Sequence, residues 1–230
     1  FVDKTSGFES FFMIQIRVWD WPTRLFHWTL AGLIIALVIT GNVGGNAMVW
    51  HFRCGYGVLS LLIFRVMWGF CGGYWSRWRQ LTCSPGLVRQ YLTPSAQHTS
   101  FLGHNPLGSL SIIAILGLLA LQASTGLFSD DEIANSGPLV RFVSESTVSL
   151  ATRWHKGYGK TIILVLVATH LLAILWYLIK KKENLTRAML TGNKSVETPA
   201  PSSKDGPTHW LLALACILIS AGLVFALINL

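Results

Sequence analysis

Long apolar runs separated by short polar clusters set the pattern of this chain. Five runs, Leu25–Gly41, Cys54–Gly73, Leu107–Phe128, Thr161–Ile179 and Trp210–Leu230, are long enough to span a bilayer, since about 20 residues rising 1.5 Å each cross the hydrocarbon. The fourth is expected to start nearer Arg153, as a helix projecting beyond the membrane. None has the setting of a cleaved signal, because the first run leads directly into a repeated spanning pattern. Thr191 to Pro207 is polar and rich in Pro, Ser and Thr, and reads as a flexible linker. The expected fold is an all-α membrane protein: an N-terminal segment (1–17), a four-helix transmembrane bundle (18–190), the linker (191–207) and an additional transmembrane helix (208–230).

Composition supports that reading. Charged residues make up 12% of the chain, about half of the roughly 25% usual in soluble domains. Hydrophobic residues reach 52%, with ten Trp and a mean hydropathy of +0.50. Such a chain would expose too much apolar surface to be disordered. The net charge of +8 does not indicate nucleic acid, because no basic stripe on a polar domain accompanies it. It sorts instead by side. With the N-terminus cytoplasmic, twelve of the eighteen Lys and Arg lie on the cytoplasmic side, as the positive-inside rule requires. Arg53, Arg141, Arg153, Lys156 and Lys160 lie outside with Asp130, Asp131 and Glu132, and Arg65 lies within the second run. This predicts five spans, with the N-terminus cytoplasmic and the C-terminus on the outer side. The four Cys form no CxxC pair, and no CxxCH occurs, which excludes covalently attached c-type haem by that rule.

Four of the seven His stand at or within spans: His27, His51, His155 and His170. Ionisable residues there are costly and usually functional. His155 and His170 share one helix, about 22 Å apart along it and about 60° apart around it. Depth pairs His51 with His155 near the outer surface and His27 with His170 nearer the cytoplasm. Two ligand levels, each with a partner on another helix, describe two stacked b-type haems held non-covalently by paired imidazoles. Gly55 and Gly159 follow His51 and His155 by four residues, leaving room for a flat macrocycle; Ala31, four residues after His27, and Ala173, three after His170, are the small residues at the other pair. Arg65 should be level with His170, where a haem propionate is a natural partner and snorkelling to the interface the competing explanation. His98 and His104 read as loop residues, His209 as interfacial, and the Trp and Tyr at span ends as interface anchors.

Val18-Trp19-Asp20-Trp21-Pro22-Thr23-Arg24-Leu25-Phe26-His27-Trp28, Leu62-Ile63-Phe64-Arg65-Val66-Met67-Trp68-Gly69, Gly103-His104-Asn105-Pro106-Leu107-Gly108 and Glu183-Asn184-Leu185-Thr186-Arg187-Ala188-Met189-Leu190-Thr191-Gly192 resemble the bacterial cytochrome b561 / nickel-iron hydrogenase cytochrome b-subunit family. The resemblance spans about residues 17–194. It implies a four-helix core with two b haems, ligated from the first, second and fourth helices. It further implies an electron-transfer subunit of an oxidoreductase complex, working between membrane quinone and a c-type cytochrome or dehydrogenase subunit. The fifth helix departs from that pattern. Two other functions compete on sequence grounds: a non-redox membrane anchor whose His serve helix packing, and a transporter using Arg65 and His170. The lack of an inverted repeat weighs against the transporter.

Overall fold

In the computed structural model, residues 13–93 and 101–230 are described; His98 lies outside them. The elements are β1 (Ile14–Arg17), α1 (Trp21–Val43), α2 (Met48–Cys71), α3 (Pro85–Leu92), α4 (Pro106–Leu127), α5 (Glu145–Arg153), α6 (Lys160–Trp176), α7 (Leu185–Thr191), β2 (Asn193–Val196) and α8 (Pro207–Ile228). Five helices are long and apolar enough to cross a membrane, and the fourth is continuous from Glu145 to Lys181. It joins α5 to α6 through a π-helical turn at Trp154–Gly159.

The first and fourth spans start earlier than their apolar runs suggest because polar side chains cap them. Asp20 caps α1, with Pro following in the first turn, where a missing N–H costs nothing. Ser144 caps α5, eight residues ahead of the expected start near Arg153. The second helix takes in His51 and Arg53 before its apolar stretch begins.

Phe26 and Leu30 of α1, Val58, Leu62, Phe64 and Trp68 of α2, Leu119 of α4, Ile163 of α6 and Cys216 of α8 form the buried core. Outward residues such as Ile35, Leu172 and Phe225 stay exposed, which suits a lipid-facing perimeter. The fifth helix, α8, lies against α2 and buries Cys216, Ser220 and Val224. These small or short side chains permit the close approach that membrane helices need without a hydrophobic driving force.

One end of the bundle is closed by an antiparallel ribbon. β1 pairs with β2, from Ile14↔Val196 to Arg17↔Asn193. This corrects the expectation of a flexible stretch at 191–207. Its Ser203 N–H donates to Arg17 O at 2.7 Å, Ser203 Oγ to Val18 O at 2.9 Å, and Asp205 meets Arg17 at 2.5 Å. Ile16, Val18, Trp19, Ala188 and Val196 make a second small core beneath it. Composition concealed this, because a four-residue strand among Pro and Ser has a partner 180 residues away in sequence.

Asp20 ties the ribbon end to the bundle. Its fully buried carboxylate accepts from Thr23 N at 2.8 Å, Gly73 N at 3.0 Å, Ser76 Oγ at 2.7 Å and Trp68 Nε1 at 3.2 Å. A buried carboxylate is tolerated only with its lone pairs filled in this way.

Candidate functional site

At the far end of the bundle from the ribbon, His51 at the start of α2 faces His155 in the π-turn, with ring centres 6.1 Å apart and planes at 88°. Each ring is held through Nδ1. His51 Nδ1 donates to Leu37 O at 3.1 Å, and His155 Nδ1 donates to Gln122 O at 2.9 Å. A carbonyl can only accept, so the proton of each neutral ring sits on Nδ1 and Nε2 keeps its lone pair. This is the arrangement that orients metal-ligating imidazoles and raises their basicity.

The two carbonyls are reached by the same device. Leu37 and Gln122 each precede a glycine by four residues, Gly41 and Gly126. A Cβ at Gly41 would stand 3.0 Å from His51 Cε1, and one at Gly126 would stand 2.8 Å from His155 Cε1. In a helix the carbonyl of residue i lies beside residue i+4; a glycine there lets an imidazole reach the oxygen sideways.

Two facing imidazoles, each held through Nδ1 with its Nε2 lone pair free, are of the kind that could hold a haem iron. Partly buried Gly55 has nothing within 4 Å of where its Cβ would be. At Gly159 the space is taken: a side chain there would strike Gln122 Oε1 and Trp154 Nε1. The π-turn also alters the phase between His155 and His170, so the 60° offset of a regular helix does not apply.

Toward the ribbon end, His27 of α1 and His170 of α6 are half-buried and near enough for their charges to interact. Here the support differs. His27 Nδ1 is buried and has no hydrogen-bond partner among the described residues. Arg65, only 5% exposed, lies with Cζ 4.4 Å from the Trp78 ring centre and feels the charge of Asp20. Its Nη1 is a buried donor without a partner among the described residues. Arg65 is thus a buried cation whose free donor is suited to a carboxylate.

The chain matches the model of the prokaryotic cytochrome b561 family over residues 18–192. It belongs to that family. Among curated relatives, it is 29% identical over 143 residues to a probable Ni/Fe-hydrogenase B-type cytochrome subunit of Azotobacter vinelandii, covering 50% of this chain and 58% of the relative. It is 25% identical to the subunit of that name from Rhizobium leguminosarum bv. viciae (78% and 89% covered) and 24% identical to the probable Ni/Fe-hydrogenase 1 B-type cytochrome subunit of Escherichia coli strain K12 (84% and 96% covered). The chain thus spans little more than half the length of the first of these relatives. No solved structure matches it.

Membership makes this a multi-helix membrane cytochrome of b type, and haem b is the group its histidines are suited to hold. The family match ends at residue 192, so β2 and α8 lie beyond it. Two features of this cytochrome are not evident from local sequence patterns. Gly41 and Gly126 serve histidines on other helices, and a glycine at matching depth on the facing helix is the usable signal. His104, read as a loop residue, packs on Trp19 with ring centres 4.5 Å apart. Burial, assisted by the charges of Arg65 and Lys194, pushes its pKa down to about 3, so it is neutral in the fold.

Proposed function

We propose that this cytochrome holds two b haems and carries electrons across the bacterial inner membrane between the quinone pool and a partner redox protein. His51 and His155 are the ligands of one haem and His27 and His170 those of the other; Arg65 receives a propionate of the second, and Gly55 leaves room for the first. The carrying observation is the facing His51/His155 pair, each ring locked through Nδ1 with Nε2 left free. The charge distribution supports a cytoplasmic N-terminus, which puts the His51/His155 end on the periplasmic side.

Haem supplies a one-electron iron centre. The protein's part is positional: His51, His155, His27 and His170 would hold the haem irons at two depths, and a pair of imidazoles at each would suit electron transfer. The partner is proposed to be a hydrogenase subunit or c-type cytochrome, in keeping with the relatives' names.

A pyridine haemochrome assay on detergent-purified protein tests the reading, with two haems per chain expected. A colourless protein, or an unchanged haem spectrum in His155→Ala, refutes it.

A further inference from the structure

The His51/His155 site contains a side chain whose contacts exceed what helix packing needs. Gln122 meets His155 twice: its main-chain oxygen accepts from Nδ1 at 2.9 Å, and its side-chain Nε2 donates to His155 O at 2.8 Å. In a π-turn the backbone bonds are re-spaced, and here the carbonyl of His155 takes the amide of Gln122. The remaining polar atom of that amide, Oε1, is buried, as is Trp154 Nε1; neither has a partner among the described residues. Both crowd the position that a side chain at Gly159 would occupy. One is an acceptor and the other a donor, both pressed to the same point.

We propose that Gln122 is the positioning residue of this haem site, acting through His155. Its amide clamps the π-turn to α4, which keeps Gln122 O in line with Nδ1 and fixes the plane of the imidazole. Trp154 closes the clamp from the other side, and Gly159 is glycine because the clamp fills its side-chain space. On the opposite face, Leu37 O and Thr40 Oγ1 hold His51 (3.1 and 3.3 Å from Nδ1) without a side-chain amide, so the device belongs to His155. The inference rests on the dihaem reading above.

The test uses detergent-purified holoprotein and the Gln122→Met variant, which preserves volume and removes the amide. Low-spin ferric EPR resolves the two haems, and redox titration follows each separately. The expected result is a shifted signal and potential for the His51/His155 haem, with about 10- to 100-fold weaker haem retention there, while the His27/His170 signal stays put as an internal control of folding. Gln122→Asn, which keeps an amide on a shorter stem, should restore part of the shift. If Gln122→Met moves neither signal, or moves or loses both together, the positioning role is wrong. Wild-type protein lacking two haems would instead refute the dihaem reading, so the two failures are distinguishable.

Discussion

The two ends of this bundle hold paired histidines in opposite ways. At the far end the rings are fixed by main-chain carbonyls that glycines uncover, and His155 is also gripped by Gln122. At the ribbon end, His27 lacks a partner at Nδ1 among the described residues, and the order lies around it instead: Asp20 with its four donors, Arg65 on Trp78, and His104 on Trp19. The far end orients its imidazoles directly. The near end has an ordered surround with a spare cationic donor. The first arrangement fixes ring geometry; the second offers an anion a place to bind.

The comparison breaks most visibly if the sites are not independent. His51→Ala should reduce the haem content from two per chain to one and leave the His27/His170 spectrum intact; His27→Ala should do the converse. Loss of both haems in either variant would mean that the bundle ends depend on each other. A smaller effect is expected at the glycines. Gly126→Ala places a carbon against the His155 ring, and the far haem should be retained about 10- to 100-fold less well, with the near haem unaffected. Equal weakening of both haems would show a general packing defect.

The smallest effect concerns acid. An unfolded His104 takes up its proton below about pH 6.5, whereas burial holds the folded group to about 3. Its neutral burial therefore leaves stability undiminished above 6.5 and lowers it progressively as pH falls from 6.5 toward 3, because the unfolded chain binds the extra proton. In His104→Phe that part of the acid sensitivity should vanish, shifting loss of the near-haem spectrum to lower pH and leaving the far haem unchanged. Identical acid-loss curves for wild type and variant would exclude this origin.

The five spans were legible in the sequence because membrane helices advertise themselves through local apolar runs, and Arg65 stands out there as a charge inside one. The partners of those residues were less legible. Gly41 and Gly126 serve histidines on other helices, so spacing along one helix cannot reveal them. The π-turn at Trp154–Gly159 is invisible to counting at 3.6 residues per turn. β2 was hidden because its pairing partner lies across the whole bundle, while local composition pointed to a linker.

The ribbon also bears on how the molecule is made. β1 meets a strand 180 residues downstream, and at about 5–20 residues per second synthesis takes on the order of ten to forty seconds to deliver it. For that interval the near end of the nascent bundle has no clasp. The strand that closes this end is made only after the sequence of all four helices, so ribbon pairing is a late event in biogenesis.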